Sequence, residues 1–134
     1  MSDLLSDVLQ TAVYDRLSGD ADLRAIVGVH VYDAMPAGPV PDLYVLIGEE
    51  SVKDASDQSG AGAVHDLSIS VMSTANSFLV LKQAAAAIWS ALDSASLMPS
   101  RGRIVGLWFR ASQAKRSSAG QRKIDLKFRA RLEV

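Results

Sequence analysis

From Lys123 to Glu133 the chain alternates without a break. Ile124, Leu126, Phe128, Ala130 and Leu132 are apolar, and the residues between them, Lys123, Asp125, Lys127, Arg129, Arg131 and Glu133, are charged. Successive side chains of an extended chain point to opposite faces, so a period of two over this length predicts a half-buried strand in an antiparallel pair. One face packs on a core and the other is wet. The preceding segment, Ile104 to Arg116, is a second strand candidate with Trp108 near its centre, and Ser117 to Gly120 form the turn between the two. Both Trp108 and Phe128 are expected in the core.

The rest of the chain supplies partners for that pair. Leu4, Leu5, Val8, Leu9, Ala12, Val13 and Leu17 recur at three- and four-residue spacings, one apolar stripe on a helix. Ser2 or Asp3 suits its start and Gly19 its end. Asp20 is placed to cap a short second helix, Ala21 to Val27, closed by Gly28. Val29 to Tyr32 reads as a short strand. Pro36, Gly38, Pro39 and Pro41 then force a turn-rich connection before the apolar run Leu43 to Gly48, a buried strand candidate. Glu50 to Gly62 has little to bury and reads as a long exposed loop or the tip of an extended hairpin; loops this long are usually functional or mobile. Ala63 to Ser73 alternates, with Leu67, Ile69 and Val71 facing one way and Ser68 and Ser70 the other. Asn76 or Ser77 is placed to cap a helix to about Ser94, with Leu79, Leu81, Ala84, Ala85, Ile88, Trp89 and Leu92 on its inner face and alanines 84–87 favouring close approach to a sheet.

The order is helix, short helix, three strands, helix, two strands. It predicts an α+β fold: a mainly antiparallel sheet of four to five strands, two main helices packed on one face, and a long polar hairpin loop. At 134 residues the chain is expected to form one domain, residues 1–134. The sequence has no cysteine, which excludes disulfides, thiolate metal sites and cysteine nucleophiles. The acidic, polar start from Met1 to Asp7 does not read as a signal peptide, and the longest apolar run, Ala84 to Trp89, is far too short to span a membrane.

Catalytic constellations are missing from the sequence. His30 and His65 have no companion motif. His65 and Asp66 are adjacent, so on a strand they face opposite ways and do not grip one ion. Gly60-Ala61-Gly62 lacks the lysine and the strand-to-helix context of a phosphate loop. Glu49-Glu50 is a carboxylate pair without a second positioned group. The expectation is a protein that is not an enzyme and needs no cofactor or metal.

Charge is sorted by position. Residues 1–100 carry four basic and 13 acidic side chains, net −9, and residues 101–134 carry ten basic and two acidic, net +8. Such asymmetry speaks to partners rather than to fold. A solvated sheet face, phosphate contact with nucleic acid and a head-to-tail contact between copies all fit it.

Several stretches in order resemble one known family. They are Ala12-Val13-Tyr14-Asp15-Arg16-Leu17-Ser18 with Asp20-Ala21-Asp22-Leu23; Val31-Tyr32-Asp33-Ala34-Met35-Pro36; Tyr44-Val45-Leu46-Ile47-Gly48-Glu49-Glu50; and His65 to Ser73 with the alanine-rich segment after it. The chain resembles the small tail-terminator (tail-completion) proteins of long-tailed bacteriophages and gene transfer agents. It departs from their pattern at Leu43, where members tend to have proline, and at Met72, where they often have tryptophan. The resemblance implies a virion structural protein with no enzymatic activity. It implies a hexameric ring on the head-proximal end of the tail, assembled in the bacterial cytoplasm. The implied partners are further copies of the chain, the tail tube protein, a head–tail connector or stopper, and DNA that passes through the channel without sequence-specific binding; no membrane is involved. On this reading Lys127, Arg129 and Arg131 are candidates to pair with Glu49 and Glu50 of a neighbouring copy. Lys53, Asp54, Asp57, Gly60 and Gly62 form a candidate flexible contact loop. The alternatives are a nonspecific nucleic-acid-binding module using the basic C-terminal sheet, or a neighbouring connector (stopper) protein.

Overall fold

The computed structural model describes residues 4–56, 58, 60–75, 77–117 and 119–134. Its elements in chain order are α1 (Ser6–Ser18), α2 (Ala21–Val27), β1 (Val31–Tyr32), β2 (Leu43–Asp54), β3 (Gly62–Ser73), α3 (Leu79–Leu92), β4 (Arg103–Arg116) and β5 (Arg122–Glu133). The strands form one sheet in the order β1-β2-β3-β5-β4. Every neighbouring pair is antiparallel except β1 and β2. This is the expected α+β architecture. The parallel β1–β2 pair obliges residues 33–42 to double back along that flank of the sheet.

β5 lies between β3 and β4 and does what its alternation dictates. Ile124, Leu126, Phe128, Ala130 and Leu132 are all buried, packed with Leu67, Ile69 and Val71 of β3 and with all three helices. Each large apolar side chain buried here contributes on the order of 2 kcal/mol. A one-residue slip would turn the whole set to water, so the register is firmly specified.

The helices begin and end largely where their signals stand. Asp20 accepts a hydrogen bond from the Leu23 amide at 3.0 Å, and Gly28 closes α2 at φ +64°, a conformation that glycine adopts without strain. Gly19 ends α1. The expected caps Ser2 and Asp3, like Asn76, lie outside the described residues; Ser77 Oγ accepts from the Leu79 amide at 3.1 Å. Arg16 Nε donates to the Ala91 carbonyl at 2.9 Å, tying α1 to the last turn of α3.

Several expectations are corrected. Leu4, Leu79 and Trp89 are exposed. On α3 the buried stripe is Leu81, Ala84, Ala87, Ile88, Ala91 and Leu92. Trp89 lies one residue beyond Ile88, about 100° round the helix, and falls off that stripe. Trp108 is also exposed: Leu107 and Phe109 take the core side of β4, which leaves Trp108 on the outer face, lying over Gly106. Ser68 and Ser70 do face away from the helices but are buried, beneath Lys127 and Asp125 of β5.

Of the two expectations for Glu50 to Gly62, the extended hairpin holds and the long loop does not. β2 runs on to Asp54 and β3 starts at Gly62, so Lys53, Asp54 and Gly62 are strand residues. Backbone pairing overrides the lack of apolar content, because a hairpin arm satisfies its own amides and carbonyls. At the ends of the two strands the Ala55 amide donates to the Gly62 carbonyl at 2.9 Å, and Ser56 Oγ bonds Asp54 Oδ1 at 2.7 Å. Gly60 makes an isolated bridge. Asp57 lies outside the described residues.

Candidate functional site

The sheet face turned away from the helices carries the charge. A bulge in β2 decides which carboxylates reach it. Pairing moves from Ile47 opposite Ile69 to Glu50 opposite Leu67, so β2 has one residue more than β3 across this step. The extra residue reverses the parity of the strand. Glu49 and Ser51 go to the outer face, and Glu50 goes to the helix side with Leu67.

Glu49, Ser51, Asp66, Ser68, Arg110, Lys127 and Arg129 surround an open pocket of about 360 Å³ on the outer face, with Glu50 at its border. Asp66 and Arg129 are opposite each other across β3 and β5 and form a two-point pair, Nε to Oδ1 at 2.8 Å and Nη2 to Oδ2 at 3.4 Å. The Arg129 hydrogen bond holds the Asp66 carboxyl below the usual carboxylate range, helped by the charges of Arg110 and Lys53 against the opposing effect of burial. Asp66 in turn raises Arg129. Lys127 Nζ bonds Ser68 Oγ at 3.2 Å. Arg131 Nη2 is 3.5 Å from Glu133, which also binds Arg103.

The five candidate interface residues therefore have defined places. Glu49, Lys127 and Arg129 meet at one pocket of a single chain, Glu50 stands at its border, and Arg131 sits at the sheet's end beside Glu133. Arg129 and Arg131 already have carboxylate partners within the chain. A loosely held phosphate-binding stripe would leave those cations to solvent, so the pairing argues against the nucleic-acid reading.

A second cluster was not legible as a site. Asp125 is buried, accepts from Ser70 Oγ at 2.5 Å and contacts Lys115 at 2.9 Å and Lys123 at 3.5 Å. β4 and β5 pair Lys115 with Lys123 and Arg116 with Arg122, like charges directly opposite each other. Asp125 is what makes the first of these pairs tolerable. The one signal in the sequence was its position as the lone interior acid in the basic stripe of β5. Arg122 turns to the helix side, where Nη1 donates to the Ala75 carbonyl at 3.1 Å and the guanidinium lies 5.2 Å from the centre of the Phe78 ring.

On the helix side, His65 is 1% exposed. Its Nδ1 is 3.5 Å from Glu50 Oε1, longer than a well-formed hydrogen bond, and Nε2 has no partner among the described residues. Burial pushes the Glu50 carboxyl up, but His65 and Ser6 outweigh it and leave it lowered. Removing one partner strands the other, so His65→Leu alone is expected to cost about 1 kcal/mol, read as a lower denaturation midpoint, and His65→Leu with Glu50→Leu to recover most of that loss. His30 is apart from this chemistry, with Nδ1 2.8 Å from the Tyr32 hydroxyl. Among the described residues no group of three or more His, Asp or Glu is placed to hold a metal ion, and no helix is long and apolar enough to cross a membrane.

The outer face therefore carries paired charges and a shallow pocket over the sheet. The family model "Tail completion protein gp17" matches residues 11–133. A search of the curated proteins finds no match. Among solved structures, a chain of the "Virion of native gene transfer agent (GTA) particle" is similar at 53% sequence identity and a TM-score of 0.93, over 99% of this chain and 100% of that one. Met72 faces Tyr44 across β2 and β3, and its Sδ accepts from the Tyr44 hydroxyl at 3.2 Å. A family model matched over this much of its length places the chain among its members: it belongs to the tail completion protein gp17 family.

Proposed function

We propose that this chain is a structural component of a virion or gene transfer agent particle, placed at the head-proximal end of the tail. It forms a ring there, hexameric in the particle, that ends the tail tube and joins it to the capsid connector. DNA passes through the channel without sequence-specific contact. The observation that carries this reading is the 53% identity, over nearly the whole chain, to a chain of a native gene transfer agent particle. The residues fit it. The charged outer face and its pocket (Glu49, Glu50, Lys127, Arg129, with Arg131 at the sheet's end) present a rigid polar surface to partner proteins. The β2–β3 arm carrying Lys53, Asp54, Gly60 and Gly62 extends that surface toward the tail tube or a neighbouring copy. Binding and shape, not catalysis, are the work of such a surface.

Deleting the gene and imaging the particles tests the reading. Tails of uncontrolled length, or tails separated from filled heads, are the expected result. Particles of normal tail length with heads attached would overturn it.

A further inference from the structure

The two side edges of the sheet differ in a way that points to their partner. β4 is the outermost strand on one side. Its residues 103–116 include four cations and no carboxylate; Arg103 and Lys115 pair with Glu133 and Asp125 of the same chain, which leaves Arg110 and Arg116 for a partner. Its first half is closed off, because Asp93 Oδ1 accepts from the Phe109 amide at 2.9 Å and the Ser94 amide donates to the Leu107 carbonyl at 2.8 Å. Beyond them, among the described residues, the outer backbone edge of β4 from Arg110 to Arg116 has no partner. Along the first half of the strand lies a groove of about 580 Å³ lined by Met98, Val105 and Trp108, which are 91%, 48% and 44% exposed.

The opposite side is its complement. Residues 29–50, covering β1, the doubled-back connection and the first part of β2, carry four carboxylates and no lysine or arginine; Glu50 turns to the helix side beside His65, which leaves Asp33, Asp42 and Glu49. Val29, Met35 and Val40 are exposed there at 73%, 47% and 43%. β1 covers only Val45 and Leu46, so among the described residues β2 beyond Leu46 has no strand on its outer side.

We propose that the basic β4 flank of one copy docks on the acidic β1 flank of a second copy of this chain. The inference rests on the ring reading above and assigns its subunit contact to these two flanks rather than to Arg129 and Arg131, whose carboxylate partners lie within the chain. Apolar side chains at both flanks supply burial, and the opposed charges supply orientation. The flanks sit at opposite ends of the strand order, so neither meets its own copy. The contact is head-to-tail and repeats until the rotation closes a ring. It also covers two exposed sheet edges that would otherwise invite uncontrolled pairing.

Charge reversal in particles tests this. Arg110→Glu with Arg116→Glu, and separately Asp33→Arg with Asp42→Arg, are each expected to cut incorporation into tails more than about tenfold. All four changes in one chain restore the match and are expected to recover incorporation to within about threefold of wild type. Melting temperatures of the purified variants separate lost contact from lost fold. Normal incorporation of either reversed pair, or a folded fourfold variant no better than the pairs, overturns the flank assignment and leaves the ring reading standing. A wild-type content of one copy per tail overturns both. The absence of native cysteine allows a second, gentler test. Val40→Cys with Val105→Cys, treated with a bismaleimide in intact particles, is expected to give a ladder of linked copies, whereas either single variant stays monomeric. Dimers from a single variant would mean a two-fold contact and overturn the proposal, as would the absence of a ladder.

Discussion

Replacing Phe128 with alanine is expected to lower unfolding free energy by about 3–5 kcal/mol, the largest effect of any single change considered for this chain. Phe128 is fully buried at the middle of β5. It faces Leu67 on β3 and Phe109 on β4, whose ring meets it edge-on at 5.7 Å and 73°. The edge-to-face pair adds roughly 1 kcal/mol to the burial. Three strands and the helical layer converge on the site, so the cavity left by alanine cannot collapse. For a chain of this size the loss corresponds to a drop in melting temperature on the order of 10–20 °C. Phe128→Leu keeps most of the volume and should cost about 1–1.5 kcal/mol. Chemical denaturation of both variants checks the prediction. Equal losses for the two would mean that the aromatic contact, not the volume, holds the site.

The second large effect is electrostatic. Asp125→Ala is expected to cost about 2–4 kcal/mol, because it removes the carboxylate between Lys115 and Lys123 and strips the buried Ser70 hydroxyl of its acceptor. The cost depends on pH. Burial pushes the Asp125 carboxyl up, but the Ser70 and Lys115 hydrogen bonds and the two lysine charges win and hold it below its ordinary value of 3.8. The unfolded chain therefore takes up the proton first as pH falls. Asp125 contributes fully above about pH 5, and the contribution fades as pH falls through 3.8 toward the lower, folded value. The gap in stability between wild type and Asp125→Ala should thus be constant from pH 8 to 5 and shrink between pH 4 and 3. Denaturation curves across that range read it directly. A gap that widened below pH 4 would mean that the pairing with the lysines is not the source of the stability.

Both effects depend on β5, the part of the chain whose behaviour was plainest in its sequence. Alternation predicted the strand, its buried set and its basic face. The local signals of Asp20, Gly19 and Gly28 placed the helix ends, because caps and positive-φ turns are decided within a few residues. The opening helix, the alanine-rich helix and the antiparallel majority of the sheet followed from periodicity in the same way. What failed failed for longer-range reasons. Trp89 and Trp108 look like core residues in any local window, yet each falls beside a stripe whose phase is set by other strands and helices. Residues 50–54 are too polar to read as strand, but pairing with β3 makes them one.

The candidate site divides along the same line. The charge imbalance and the basic stripe of β5 are properties of the sequence, since they need only residue order and a period of two. Which charges remain available is a property of the tertiary structure alone. The β2 bulge decides which of Glu49 and Glu50 reaches the outer face, a change of parity made by one unpaired residue. Asp66 is 63 residues from Arg129 in sequence and opposite it in space, so the arginine is neutralised within its own chain. The sheet order β1-β2-β3-β5-β4 then sets Asp33 and Asp42 on one flank and Arg116 on the other. Strand order is decided by which apolar faces bury together across the whole chain, and no local pattern encodes it.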